Sequence, residues 1–357
     1  MTVLLFLLVL MLVYSIWTCT IRLGSRRLRC SRAFSQTAVF EGEEGQLVET
    51  VRNDTALMIP WLRIESRISP HLQLGRQERL HTADENYHCS LFTLMPHQQI
   101  KRTHRVKFLR RGAYDLGRAA LTAGDLLGLC RFSYNQELRA PVLVYPSLLS
   151  QEELPLPVSR VLGELVRRPR LQTDPFLIRG IRPYQFGDPV RDIHWAATAR
   201  VGDVQVRVHD FSARSRLLVV LNIQQQDIQW SDYIPTQQEA FIEDGIRLAA
   251  SACVHALRAG LSAGFASNMP IAQAQESTLL LPCDGPVQEE TLLAAFAHLR
   301  LHRTETFPAL LDSLTEYTGL DLLILSPYDS ESIQTILTKL RHAGNQVFFH
   351  LLKGGGV

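Results

Sequence analysis

The stretch RLLVVLNI, Arg216 to Ile223, carries no polar side chain from Leu217 to Leu221. A strand with one wet face alternates apolar and polar residues, so a strand without a polar face has to be covered on both sides. The downstream sequence supplies the cover. TQQEAFIEDGIRLAASACVHALRAG fits a helix, with Ala240, Ile242, Ile246, Ala249, Ala250, Cys253 and Leu257 forming one broad apolar stripe and Gly260 ending it. SAGFASN, DLLILSP and QVFFHLL read as further strands, and QEETLLAAFAHLRLH, ALLDSLTEYT and ESIQTILTKLRHAG as helices. Such alternation predicts a mostly parallel sheet with helices on both faces.

The N-terminal half reads differently. From residue 33 to 146, GQLVETVRN, PWLRIESRI, YHCSLFTL and HRVKFLRRGAYDLG alternate in part, with turns at Asn53-Asp54, Ser69-Pro70 and Met95-Pro96. Short strands without long helices predict a β-sandwich-like domain. RRGAYDLG and TAGDLLGL read as tight corners whose glycines supply unusual backbone angles. Residues 147–176 read as a proline-bearing connector with a short helix near Ser159 to Arg167, and residues 177–357 as the α/β domain with its leading segment. A chain of 357 residues accommodates about two such domains.

Thr2 to Ile21 holds no charged residue. About twenty apolar residues span the roughly 30 Å hydrocarbon core. Arg22, Arg26, Arg27, Arg29 and Arg32 come next, and by the positive-inside rule they hold the downstream chain in the cytoplasm. The expected class is therefore α+β multidomain. It has an N-terminal transmembrane helix (residues 1–21), a β-sandwich-like domain and a C-terminal α/β domain. The expected location is the bacterial inner membrane, single-pass. The formal net charge of +2 gives no electrostatic signature of nucleic-acid binding, and none is assigned. The six cysteines, at positions 19, 30, 89, 130, 253 and 283, form no C-x-x-C pair and suggest neither a zinc site nor a disulfide framework.

Between the two halves lies RGIRPYQFGDPVRDIHWAATARVGDVQVRVHD, Arg179 to Asp210. Asp188-Pro189 reads as a helix start, an N-cap followed by proline at the first helical position. Val190, Ile193 and Ala197 share a helical face, and Gly202 ends the helix. VQVRVH alternates as a half-exposed strand and is expected to add an antiparallel edge to the parallel sheet. A catalytic reading would use His194 as acid or base, oriented by Asp188 or Asp192. No G-x-S-x-G turn or glycine-rich phosphate loop supports it. The structural reading pairs arginines with Asp188 and packs Trp195 against the domain. Partner docking is assigned to Arg182, Tyr184, Gly187, Asp188, Arg191, Trp195, Arg200 and Arg207.

The pattern R-x-Y-x-x-G-D-x-x-R-x-I-x-W-x-x-x-A-R-x-G, from Arg182 to Gly202, resembles the signature of the domain of unknown function 58 family. RRGAYDLG and DLLGL resemble the same family's pattern. The resemblance implies a bacterial membrane-anchored protein whose C-terminal domain is von Willebrand factor A-like (Rossmann-like). It also implies a MoxR-type AAA+ ATPase as partner and a neighbouring transglutaminase-like membrane protein. Members often begin with two hydrophobic helices, where this chain shows one such run. A metal-binding von Willebrand A domain places D-x-S-x-S after its first strand, because Mg²⁺ takes hard oxygen ligands. Here Asn222 stands for the aspartate, and Gln224 and Gln226 for the serines, so a degenerate site is expected. Asp329, after a later strand, stands alone. His298 and His302 have a zinc-compatible spacing without an evident third ligand. No cofactor is assigned.

The function these readings point to is a membrane-anchored, non-catalytic adaptor working with the ATPase in assembly or maturation of other proteins. The alternatives are a hydrolase using His194 and Asp188, and a metal-dependent ligand-binding domain.

Overall fold

The computed structural model describes residues 4–9, 11–15, 28–75, 79–82, 85–125, 131–167, 173–185, 188–211, 215–227, 235–272, 274 and 276–352. The chain divides into two compact units, residues 1–147 and 148–357.

The first unit is built from strands β1 (Leu28–Phe34), β2 (Ala38–Phe40), β3 (Glu44–Asn53), β4 (Ile59–Ile68), β5 (Leu72–Leu74), β6 (Arg79–Thr82), β7 (Glu85–Leu94), β8 (Gln99–Phe108), β9 (Gly112–Asp115), β10 (Arg118–Gly124), β11 (Arg131–Glu137) and β12 (Pro141–Tyr145). They form three sheets, ordered β1-β3-β8-β5, β11-β10-β4-β7-β6 and β2-β12-β9. In β4 the residues Leu62, Ile64, Ser66 and Ile68 are buried in alternation, the period-two pattern of a strand with one inward face. The inward residues make two separate apolar clusters. One joins Val51, Ile64, Phe92 and Leu121. The other joins Leu47, Ile68, Val106 and Phe108. The RRGAYDLG corner closes as its glycine demands: Gly117 has φ +60°, and Asp115 Oδ1 accepts from the Gly117 and Ala140 N–H groups at 3.2 and 2.8 Å.

The second unit opens with helix α1 (Leu156–Arg167). A hairpin of β13 (Thr173–Pro183) and β14 (Gln205–Phe211) comes next, with helix α2 (Trp195–Val201) between its strands. Then come β15 (Arg216–Leu221), α3 (Thr236–Arg258), β16 (Ser262–Ser267), β17 (Thr278–Cys283), α4 (Pro286–His298), α5 (Phe307–Ser313), β18 (Asp321–Ser326), α6 (Glu331–His342) and β19 (Gln346–Leu351). The sheet order is β17-β16-β15-β18-β19. All pairs are parallel except β16 with β17. The unbroken apolar run of β15 serves both faces. Leu217, Val219 and Leu221 pack with α1, α3 and α4 residues such as Leu162, Ile246 and Phe296. Leu218 and Val220 pack with Phe307, Leu311 and Leu337 on the other side.

Three expectations change. No helix among the described residues is long and apolar enough to cross a membrane, which overturns the transmembrane helix in the fold class and the single-pass inner-membrane location built on it. Residues 4–9 and 11–15 are helical. Trp17, Arg22, Arg26 and Arg27 lie outside the described residues. Second, VQVRVH does not join the parallel sheet. It pairs with β13 in a separate two-stranded sheet, and the antiparallel edge is TLLLPC of β17. Third, the segment read as a connector is part of the second unit: the helix expected near Ser159 to Arg167 is present as α1, and its Val158, Leu162 and Leu165 are buried in that unit's core.

Candidate functional site

The segment from Arg179 to Asp210 forms the β13–β14 hairpin and what lies between. Asp188 does not cap a helix. The Arg182 guanidinium donates to both its carboxylate oxygens at 2.7 Å, and the Gln185 N–H donates at 2.8 Å. The Arg182 bond and the Gln185 N–H together hold its carboxyl below the usual carboxylate range. With that carboxylate engaged, capping falls to His194, whose Nδ1 accepts from the Ala197 N–H at 3.1 Å at the start of α2. Val190–Asp192 is a single 3-10 turn. Gly202 ends α2 at φ +86°. Thr198 Oγ1 accepts from the Gln205 N–H at 3.0 Å, and the His194 N–H donates to Gln205 O at 2.8 Å, so α2 is tied to β14 through its backbone.

Helix α2 buries none of its side chains. Trp195, expected to pack inward, is 67% exposed, and Val190, Val201, Ile181, Tyr184 and Val204 are each at least 41% exposed. Arg200 and Arg207 are exposed as well. A seven-residue helix is marginal without packing. Arg191 lies in the 3-10 turn, its side chain outside the description. Gly187 falls outside the described residues. Among the described residues no hydrogen bond joins His194 to Asp188 or Asp192.

At the carboxyl edge of the parallel sheet lie the residues that the resemblance compares with a metal motif. Asn222 Nδ2 donates to Ser326 Oγ at 2.9 Å, and Asn222 Oδ1 accepts from Asn268 Nδ2 at 3.1 Å and the Gln224 N–H at 2.8 Å. Gln224 Nε2 donates to the carbonyls of Gln226 and Asp227, and its Oε1 accepts from the Phe307 N–H at 2.9 Å. Asn222 and Gln224 are thus bound to Asn268, Ser326 and backbone, with both ends of each of the two side chains engaged. The Gln226 side chain is exposed. Asp329 accepts two bonds from Gln334 at 2.9 Å. Helix α4 ends at His298, so His302 lies beyond it and the two do not share a helical face.

A third polar group does not stand out in the sequence. Inside the first unit, Arg32 (β1), Glu49 (β3), Ser66 (β4), His88 and Ser90 (β7) and His104 (β8) are all buried. Arg32 Nε donates to Glu49 Oε1 at 2.6 Å, and its NH1 to Ser66 Oγ at 2.7 Å. Ser90 Oγ donates to Glu49 Oε2 at 2.6 Å, and His104 Nε2 lies 2.9 Å from the same oxygen. A carboxylate only accepts, so His104 Nε2 carries the proton. Ser90 Oγ then accepts from His88 Nε2 at 3.0 Å. Burial pushes the Glu49 carboxyl up, but His104, the more distant His88, the Arg32 charge and Ser90 outweigh it and hold it far below the usual carboxylate range. Burial also pushes the neighbouring Cys30 thiol up to about 12. These residues form one polar layer between the two apolar clusters. On β3, Glu49 sits between Leu47 of one cluster and Val51 of the other.

Taken together, the second unit is an α/β domain carrying a hairpin with an exposed apolar face. Residues 180–279 match the model of the family described as protein of unknown function DUF58. No curated protein matches the chain. Among solved structures, the chain is similar to the CARDB domain of the PF1109 protein from Pyrococcus furiosus, at 12% identity and TM-score 0.21, over 33% of this chain and 93% of that one. It is also similar to a protein of unknown function from Porphyromonas gingivalis W83, at 13% identity and TM-score 0.23, over 35% and 51%. A non-cellulosomal cohesin from Archaeoglobus fulgidus matches at 9% identity and TM-score 0.23, over 35% and 94%. Likenesses this slight carry no argument. Neither they nor the family match bears on the von Willebrand factor A and MoxR details of the resemblance.

Proposed function

We propose that this chain is a non-catalytic interaction protein that docks a protein partner on the segment from Arg179 to Asp210, and that the partner is a MoxR-type AAA+ ATPase. The observation that carries the docking reading is helix α2, which buries no side chain while presenting Trp195 and Val201 to solvent. Tryptophan and arginine, both exposed on this segment, are enriched among energetic hot spots at interfaces. Arg200 and Arg207 supply the polar rim. The identity of the partner rests on the family resemblance alone.

The same geometry speaks against a hydrolase built on His194 and Asp188. His194 Nδ1 is engaged at a helix cap, and Asp188 is held by Arg182 on both oxygens. A base needs its orienting group within hydrogen-bond reach. The amide network around Asn222 likewise gives its carboxamide oxygen to protein donors. The test is reconstitution with the organism's own MoxR-type ATPase. Trp195→Ala and Arg207→Glu should weaken the complex at least tenfold, whereas His194→Ala should weaken it less than threefold. Equal binding by all three variants, or a turnover abolished by His194→Ala alone, refutes the reading.

A further inference from the structure

We propose that Glu49, His88 and His104 form a zinc site inside the β-rich unit, closed by Ser90 Oγ or a water molecule as the fourth ligand. Glu49 Oε2 and the Nε2 atoms of the two histidines lie within 4.8 Å of one another, and all three residues are buried. Among the described residues this is the one such group. Glu49 Oε2 stands 2.9 Å from His104 Nε2 and 3.7 Å from His88 Nε2. Two ligands on one tetrahedral Zn²⁺, each bonded at about 2.0–2.1 Å, stand about 3.3 Å apart. The two Glu49 separations bracket that figure and the third pair lies within 4.8 Å, so side-chain adjustment within the cluster would seat the ion. Two imidazoles and one carboxylate without a thiolate form a donor set suited to Zn²⁺ rather than Mg²⁺ or Ca²⁺.

The surroundings are those of a ligand set already held in place. His88 and His104 come from different strands, β7 and β8, which lie in different sheets. Their rings meet edge to face at 4.7 Å. Glu49 is held at its other oxygen by Arg32, itself held by Ser66. Hydrogen-bonded outer partners of this kind fix a ligating carboxylate in orientation. Seating the ion moves each histidine proton from Nε2 to Nδ1 and leaves Ser90 Oγ beside the metal. The charge balance with Arg32 is the main opposing effect: a 2+ ion and a guanidinium share one carboxylate. A site that binds against that repulsion does so through its two imidazoles, which makes their removal decisive.

The experiment uses the full chain, purified without chelators. Metal content is measured, then the metal-stripped chain is titrated with Co²⁺, whose tetrahedral complexes absorb visible light far more strongly than octahedral ones. One Zn²⁺ per chain and a saturable tetrahedral Co²⁺ spectrum are expected. His88→Gln and His104→Gln keep a hydrogen-bond donor but remove an imidazole, and each should weaken Co²⁺ binding at least tenfold. The surface pair His298→Ala/His302→Ala should leave it unchanged. Metal content well below one per chain together with no tetrahedral bands in the wild type overturns the proposal, whether or not the glutamine variants fold. So does a Co²⁺ spectrum that persists in both folded glutamine variants, or one that is lost in the surface pair.

Discussion

Glu49→Gln tests the buried polar layer most sharply. The substitution keeps the side chain's shape and removes its charge. In the wild type, Oε1 accepts from Arg32 and Oε2 accepts from Ser90 and His104. A glutamine offers one oxygen and one NH₂, so one of those two sets of donors meets another donor. The larger effect is on Arg32, whose side chain is 1% exposed and whose counter-ion disappears. Breaking a buried ion pair by removing one partner costs about 3–5 kcal/mol. At 1.36 kcal/mol per decade, that is roughly 2.2 to 3.7 decades in the opening equilibrium of the unit. Native-state hydrogen exchange read by mass spectrometry on peptides from β3, β7 and β8 resolves this without assuming that the two units unfold together. Protection in these strands should fall by a factor in that range, with the second unit's strands unchanged. A loss of less than tenfold in β3 and β8 would refute the view that Glu49 neutralises Arg32 in the core.

The same residue sets an acid limit: its folded carboxyl is depressed, so its contribution is present above the unfolded value of about 4.3 and lost as pH falls below that. Wild-type β3 protection should therefore drop on acidification below about pH 4.3 more steeply than in Glu49→Gln, and parallel profiles would contradict this. Trp195→Ala removes a ring that is 67% exposed, so the melting curve should shift by less than the equivalent of about 0.5 kcal/mol, and a loss near 3 kcal/mol would mean the ring is buried. Gly264→Ala places a Cβ 2.4 Å from the Leu280 carbonyl oxygen, so β17 must move away from β16; differential scanning calorimetry should show a clear fall in Tm, and an unchanged Tm would refute the close approach. Phe265→Ala opens a fully buried site against Phe296 and should cost roughly 3–5 kcal/mol in denaturant titration.

The α/β unit is legible in the sequence because its signals are local and redundant. The double-sided burial of β15 is written in an apolar run, and α3 and α6 in apolar stripes followed by Gly260 and Gly344 at positive φ, with Ser330 capping the start of α6. The edge strand β17 is harder to read: TLLLPC is short, ends in Pro-Cys and pairs antiparallel with an irregularity opposite Gly264. In the signature segment the composition is legible but the partners are not. Asp188-Pro189 has the form of a helix start, yet Arg182, six residues upstream, competes for the same carboxylate and wins with two charge-assisted bonds. The helix begins instead at Trp195, whose ring is exposed.

The polar layer escapes a sequence reading although each strand carries its trace. Leu47-Glu49-Val51, Ile64-Ser66-Ile68, His88-Ser90-Phe92 and His104-Val106-Phe108 each place polar residues at inward positions of the alternation. One such residue looks like a break in the pattern. Only the register, which sets Arg32 opposite Glu49 and Ser66 opposite His88, stacks them into one level of the core.

The docking claim is tested most directly by a photoreactive amino acid placed at position 195 in the living cell, with Glu331 at the start of α6 as an exposed control position. Crosslinking from position 195 should give one discrete adduct containing the MoxR-type ATPase, absent from position 331 and lost when Arg207→Glu is added. No adduct at 195, or the same adducts from both positions, would contradict the account.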